Sequence, residues 1–183
     1  SLQSIDHEEK VIYLGTFSKS IAPSLRISYM VLPLHLLKKY QESCSFYSTT
    51  VSKIQQEVLR EFIRGGYFGR HLNKMRGIYK NKHDFLVGEL KKKNWVENIA
   101  GDNAGLHVLV QVNTTLTEEE ICKKAAECGI RLMGIREHYI HTPPEGRPVL
   151  LLGYGKPDEQ EIQKGLEVLE SIVLENRIPL PLR

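Results

Sequence analysis

Gly15-Thr-Phe-Ser-Lys-Ser-Ile-Ala-Pro-Ser-Leu-Arg26 is the stretch on which the reading of this chain turns. It overlaps a short apolar, β-branched and aromatic run, Val11-Ile-Tyr-Leu-Gly-Thr-Phe17, with charge before it and Ser-Lys-Ser after it. That pattern predicts a buried strand ending in a loop. A second strand, Arg26-Ile-Ser-Tyr-Met-Val-Leu32, is closed by Pro33, and the loop between the two carries Pro23 and Ser24. A lysine, Lys19, therefore sits at a strand end with small hydroxyl residues beside it and an arginine seven residues on. A lysine whose amine is desolvated, or held near another cation, has a lowered pKa and can form a Schiff base with an aldehyde. Thr16, Ser18 and the loop backbone can donate hydrogen bonds to a phosphate, and Arg26 can bind one in a bidentate, charge-assisted manner. From spacing alone, a solvated Lys19 with Arg26 in an ion pair is the stronger reading.

Outward from this segment the chain is mostly helical up to about residue 93. Leu34, Leu37 and Tyr40 recur at helical spacing, and Ser52 is placed to cap a helix through Ile54, Val58, Leu59, Phe62 and Ile63 that Gly65-Gly66 stops. Phe68 to about Lys92 reads as one long helix with Leu72, Met75, Ile78, Tyr79, Phe85, Leu86 and Leu90 in a three-and-four rhythm. From Asn94 the texture changes to short strands and turns. Leu106 to Val112, Ile130 to Met133 and Pro148 to Tyr154 read as strands, expected in one sheet. Thr117-Glu-Glu-Glu120 is a capping box opening a helix that ends near Gly129, and Asp158 caps a last amphipathic helix through Ile162, Leu166, Leu169 and Val173. Pro179 and Pro181 are expected to end the ordered chain.

Composition narrows the class. The 183 residues are 41% hydrophobic, enough for one sizeable core, and the longest apolar runs fall far short of a membrane span. No secretory signal is visible, so either the protein is cytoplasmic, which is the expectation, or its targeting segment lies outside these residues; no membrane partner is expected. Cys44, Cys122 and Cys128 form no CxxC pair and read as structural thiols, and His138 and His141 lack a third ligand, so no metal is expected. The net charge of +3 is too small to indicate nucleic acid. Lys91-Lys-Lys93 reads as a solvated helix end, and His107 as a polar residue facing a cleft or a hydrogen-bonded core position.

Thr16-Phe-Ser-Lys-Ser with Arg26-Ile-Ser-Tyr-Met-Val-Leu-Pro33 resembles the cofactor-lysine segment of fold-type I aminotransferases, which use pyridoxal 5′-phosphate (PLP). The Ser-Tyr run into an apolar strand is similar to the MocR-type, GntR-family transcriptional regulators, which carry such a domain behind a DNA-binding one. Three further segments resemble the same group. They are the long helix with His71, Met75, Arg76 and Tyr79, the strand entry Ala104-Gly-Leu-His107, and the closing strand Leu150-Leu-Leu-Gly-Tyr154. The likeness runs from about residue 10 to about residue 175.

The resemblance implies an α/β fold of the fold-type I PLP-transferase kind with an incomplete large domain, plus a C-terminal α+β small domain. Residues 1–66 would belong to the large domain, 67–94 to a long interdomain helix and 95–183 to the small domain. It further implies an internal aldimine on Lys19, phosphate held by Ser18 and Arg26, and Thr16 as a weaker phosphate ligand. A substrate-carboxylate arginine is usual in the small domain of these proteins. Arg136 is the candidate, with Glu137 in its slot if the alignment moves by one, and with Arg131 and Arg147 as alternatives read more as surface charges. The implied function is effector sensing, with a small amine or amino acid as ligand, in a transcriptional regulator that reaches DNA through a domain outside this chain. The alternative is a fragment of a free-standing aminotransferase acting on an amino acid, a transaminase if active. A homo-oligomer, such as a dimer, is implied in either case. The acidic partner of the pyridine nitrogen, the aromatic that stacks on the ring and the small-residue phosphate loop come, in this family, from sequence before the lysine strand. Read as a C-terminal fragment, the chain is expected to bind PLP weakly or not at all.

Overall fold

A computed structural model describes residues 1–101, 105–141 and 145–176, and the chain divides into two units, Ser1–Met75 and Arg76–Arg183. In the first, strand β1 (Tyr13–Thr16) leads directly into a one-turn helix α1 (Phe17–Ser20), and strand β2 (Ser28–Val31) returns antiparallel to β1. Both strands fall inside the expected runs. The short helix was not expected from the sequence, and it exists because Thr16 caps it: the threonine hydroxyl accepts from the Ser18 backbone N–H. Helices α2 (Leu34–Cys44) and α3 (Lys53–Arg64) follow, α3 with the expected Ser52 cap accepting from the Gln55 N–H.

This unit has almost no core of its own. Ile27 is its one buried hydrophobic residue among those described, while Leu14, Tyr29, Met30, Val31, Ile54 and Val58 are exposed. Besides the β1–β2 ladder, rings in series tie it together. Tyr13 lies 6.1 Å from Tyr29, Tyr29 lies 5.0 Å from Phe17, and Phe17 meets Phe68 edge-on at 5.9 Å. Such pairs add about 0.5–1.5 kcal/mol each beyond the area they bury. Phe68 lies in the first turn of the long helix α4 (Tyr67–Lys91), which runs through the boundary at Met75 into the second unit.

The second unit has a full core. Strands β3 (Val96–Ala100) and β4 (His107–Val112), helix α5 (Glu118–Glu127), strands β5 (Met133–Gly134) and β6 (Val149–Gly153) and helix α6 (Glu159–Leu174) form an antiparallel sheet in the order β3-β4-β6-β5 with its two helices. Val108, Val110 and Val112 alternate inward on β4, as do Leu150 and Leu152 on β6. They meet Leu86, Val87 and Leu90 of α4, Ile121 and Ala125 of α5, and Ile162, Leu166, Leu169 and Val173 of α6. The three expected strands do share one sheet. Both capping boxes also form as expected, Thr117 with Glu120 and Asp158 with Glu161. One strand starts later than its sequence suggests. Ile130 spends its N–H on the Ala125 carbonyl at 2.9 Å to close α5, so the ladder to β6 begins only at Met133. Ala104, Pro179 and Pro181 lie outside the described residues.

Two buried or half-buried carboxylates stitch this unit. Glu118, 6% exposed, accepts from the backbone N–H groups of Arg136 at 2.8 Å and Val149 at 2.9 Å. Gly134 is needed beside it, since a Cβ there would overlap the Glu118 carboxylate. Glu170 accepts from Lys93 Nζ at 2.7 Å and from the indole N–H of the fully buried Trp95 at 3.1 Å. Lys93 is therefore not part of a solvated run: its side chain is 17% exposed, and a carboxylate distant in sequence holds it. Arg147, read as a surface charge, is likewise engaged, by Asn113 and by Glu97 at 3.1 Å.

The Lys93 ammonium, ahead of the Trp95 indole, holds the Glu170 carboxyl below its ordinary value of 4.5, against an opposing push from burial. Glu170→Leu leaves the buried indole N–H without an acceptor and is expected to destabilise the unit by about 1–3 kcal/mol. Glu170→Gln keeps an acceptor and should lose less. The folded pKa lies below the unfolded one, so the carboxylate's contribution is complete above the unfolded value and vanishes as pH falls through the folded value. In urea melts the gap between wild type and Glu170→Gln should hold from about pH 7 to about pH 5 and close at lower pH. A gap that widens on acidification would contradict this.

Candidate functional site

The loop from Phe17 to Arg26 begins and ends on a single carbonyl. Ile27 O accepts from the Phe17 N–H at 2.9 Å and from the Thr16 hydroxyl at 3.2 Å, at the only buried apolar side chain of the first unit among the described residues. Thr16 Oγ1 thus donates to Ile27 and accepts from the Ser18 N–H at 3.2 Å. Its proton is committed, which leaves Thr16 an organiser of Ser18 more than a donor to a ligand. The Ser20 hydroxyl closes the turn by donating to the Thr16 carbonyl at 3.3 Å. Across the strands Gly15 pairs with Tyr29, and a Cβ on Gly15 would run into the Tyr29 ring. The glycine therefore lets an aromatic side chain lie flat over the approach to the loop. A hydrogen bond with Tyr13 raises the pKa of the Tyr29 phenol, so it stays neutral.

Lys19 sits on the exposed side of α1 and Arg26 at the far end of the loop, also exposed. Among the described residues, no hydrogen bond or ion pair engages Lys19 Nζ, the Ser18 hydroxyl or the Arg26 guanidinium. The ion pair that spacing alone favoured for Arg26 is not formed. Arg26 also has φ 50 and ψ 33, the left-handed region, where a side-chain-bearing residue is disfavoured by about 1–2 kcal/mol. Backbone strain of this kind is tolerated where the surroundings over-determine it, and it collects at ligand clamps. One loop therefore offers a primary amine, a free hydroxyl and a free guanidinium. This donor set fits a phosphate ester that also carries an aldehyde: the amine for the carbonyl carbon, the other two for the phosphate oxygens.

The remaining candidates lie in the second unit. Arg136 begins a 3₁₀ turn, Arg136–His138, and its side chain is exposed; its Nε lies 3.9 Å from Glu118, a loose ion pair, and its backbone N–H is the one that Glu118 binds. Arg131 is exposed, with no hydrogen bond or ion pair among the described residues. His107 is exposed at the start of β4, opposite Gly153, and His141 is exposed in a loop. Burial pushes the Cys122 thiol above its ordinary value, with Glu137 adding to the effect, which makes it a poor nucleophile. Reading by residue type passed over two parts of the site, the Ile27 carbonyl and the Gly15–Tyr29 approach. The first carries no sequence signal. The second had one, a glycine inside a β-branched and aromatic run.

Comparison with known proteins bears on the family and the fold. A family model for aminotransferase class I and II matches residues 2–162. An uncharacterised HTH-type transcriptional regulator of Bacillus subtilis, YdeL, is 39% identical over 172 residues, which is 93% of this chain and 37% of that protein. The probable rhizopine catabolism regulatory protein MocR of Rhizobium meliloti is 30% identical over 186 residues, covering all of this chain and 37% of its own length. Among solved structures, the kynurenine aminotransferase of Pyrococcus horikoshii, in complex with PMP, superimposes with a TM-score of 0.78 at 25% identity, over 95% of this chain and 43% of that one. The chain thus spans little more than a third of the regulators it matches. The sheets and helices described above are a partial fold-type I PLP-transferase, and the chain belongs to the aminotransferase class I and II family.

Proposed function

We propose that this chain is the PLP-binding, effector-sensing part of a MocR-type, GntR-family transcriptional regulator, with Lys19 as the covalent anchor of the cofactor. The observation that carries the reading is the single loop in which an unengaged lysine and an unengaged arginine flank a pinned turn, in a chain that is 39% identical to a regulator over 93% of its length. PLP, when bound, supplies an aldehyde for a lysine amine and a pyridine ring that draws electron density from a substrate's Cα. Lys19 Nζ would hold the cofactor covalently, and the same amine would be the base placed for a substrate's Cα proton. Ser18 Oγ and the Arg26 guanidinium would hold its phosphate, the guanidinium being a donor suited to phosphate oxygens. Thr16 holds Ser18 in place through the bond to its backbone N–H.

In this reading residues 1–66 complete a large cofactor domain, 67–94 are the interdomain helix, and 95–183 form a small domain whose Arg136 meets the carboxylate of an amino-acid effector. DNA is bound by another domain of the full-length protein, and the regulator works in the cytoplasm as a homo-oligomer. A second reading, a free-standing transaminase, draws support from the superposition on the kynurenine aminotransferase. Steady amine transfer between an amino acid and a 2-oxo acid by the purified full-length protein would favour it over the regulator.

Borohydride reduction of the PLP-loaded full-length protein, followed by peptide mapping, should fix the cofactor on Lys19. A label on a different lysine would sink the assignment. Hydrogen bonds to charged groups contribute about 1.5–3 kcal/mol, so Arg26→Gly should weaken PLP binding by roughly tenfold to a hundredfold. Glycine relieves the left-handed backbone at this position, so thermal stability should not fall. Unchanged PLP affinity in this variant would count against the phosphate role.

The exposed apolar side chains of the first unit carry a further expectation for the 183-residue chain by itself. Ile54 is 78% and Val58 65% exposed on one face of α3, so the chain should self-associate and retain PLP poorly. Ile54→Lys with Val58→Lys should move it toward monomer in sedimentation equilibrium. A wild-type monomer with tight, stoichiometric PLP would refute the expectation.

A further inference from the structure

A cleft of about 410 Å³ opens inside the second unit, between the start of α6, the end of β6 and residues 129–132, and it plays no part in the lysine site. Its volume is that of a small-molecule pocket. The floor is apolar, made by Leu132, Leu152, Ile162 and Leu166. Three charged residues stand at it, and they are not alike. Glu161 is already satisfied, accepting from the Asp158 N–H at 2.9 Å as half of a capping box. Arg131 and Lys156 are exposed, and among the described residues neither side chain has a hydrogen-bond or ion-pair partner. Glu161 keeps its charge, so two cations and one carboxylate leave the cleft net positive over an apolar floor.

Gly165 adds room to the cleft. It lies in the interior of α6, where glycine is about 1 kcal/mol less favourable than alanine, and it lines the cleft. Among the described residues, nothing beyond its chain neighbours and the nearby backbone of its own helix lies within 4 Å of where its Cβ would stand, so a side chain there would meet open space. The missing side chain leaves room in the cleft and nothing else.

We propose that this cleft is a second ligand site, for a small organic acid with an apolar body: its carboxylate set against Arg131 and Lys156, its hydrocarbon or aryl part on the Leu152–Leu166 floor over Gly165. The site is distinct from the lysine loop and stands whether or not Lys19 holds a cofactor. In a sensing protein it would make the second unit responsive to a metabolic acid.

The test is a titration of the ¹⁵N-labelled chain with 4-phenylbutyrate, followed by amide shifts, with the uncharged 4-phenylbutanamide as comparison. Saturable shifts at Gly129, Gly153 and Gly165 are expected, with binding roughly tenfold weaker for the amide and for Arg131→Gln with Lys156→Gln. Gly165→Leu should abolish the shifts while the far-UV spectrum and cooperative melt persist, since the new side chain enters open space. No saturable shift at these residues, or equal binding of acid and amide, overturns the proposal. It is also overturned if the same titration gives no shifts once the natural flanking sequence is present, because a polypeptide segment then fills the cleft.

Discussion

The carbonyl of Ile27 fixes the lysine loop. Two donors from the end of β1 and the start of α1, the Thr16 hydroxyl and the Phe17 N–H, converge on it. A backbone carbonyl has two acceptor lone pairs, and here both are used on the same side of the loop. The ten residues from Phe17 to Arg26 are consequently a closed excursion, with ends that cannot drift apart unless both bonds break. Closure lowers the entropy that a ligand must still remove in order to order the loop. It also explains why Lys19, an exposed and long side chain, can have a defined starting position. Only its own rotamers are free, while the backbone beneath it is held.

The second unit solves a different problem, that of burying polar groups at the margin of a dense core. Glu118 is an acid placed where an apolar residue would be expected, on the inner side of the first turn of α5. It is tolerated because the first residue of β6 and the turn after β5 both need an acceptor for a backbone N–H. Glu170 does the same for Trp95 and, in addition, takes in a lysine. Lys82 completes the set from α4, donating to the carbonyls of Gly155, Lys156 and Pro157, the last at 2.6 Å. In each case a charged side chain saturates backbone or indole groups that lie in the irregular joints between elements. The joints thereby become as specific as the strands.

Local rules carry much of this architecture in plain sight. Ser52, Thr117 and Asp158 each announce a helix start with the partner three residues on, and all three caps form. The lysine and arginine of the loop stood out by residue type, but spacing alone favoured a solvated pair, and only the resemblance of the whole segment gave them cofactor roles. What escaped is what depends on long-range geometry. Strand β3 is hidden because Val96-Glu-Asn-Ile-Ala100 loses its alternation at a register shift between Val96 and Asn98. The fates of Lys93 and Arg147 could not be read either, since neither Glu170 nor Glu97 is near them in sequence. The late start of β5 follows from one carbonyl at the end of α5 claiming the Ile130 N–H, a competition that periodicity does not register.

The uneven allocation of core has a consequence in time. Of the buried apolar residues described, all but Ile27 belong to the unit from Arg76 onward. The ribosome releases a chain from its amino end, so the lysine hairpin emerges before the segment that can condense by itself. The part made last is the part able to fold first. Until other apolar surface covers them, Tyr29, Met30 and Val31 are wet β-strand residues on a two-stranded ribbon, which is the kind of segment that holdase chaperones bind in a nascent chain.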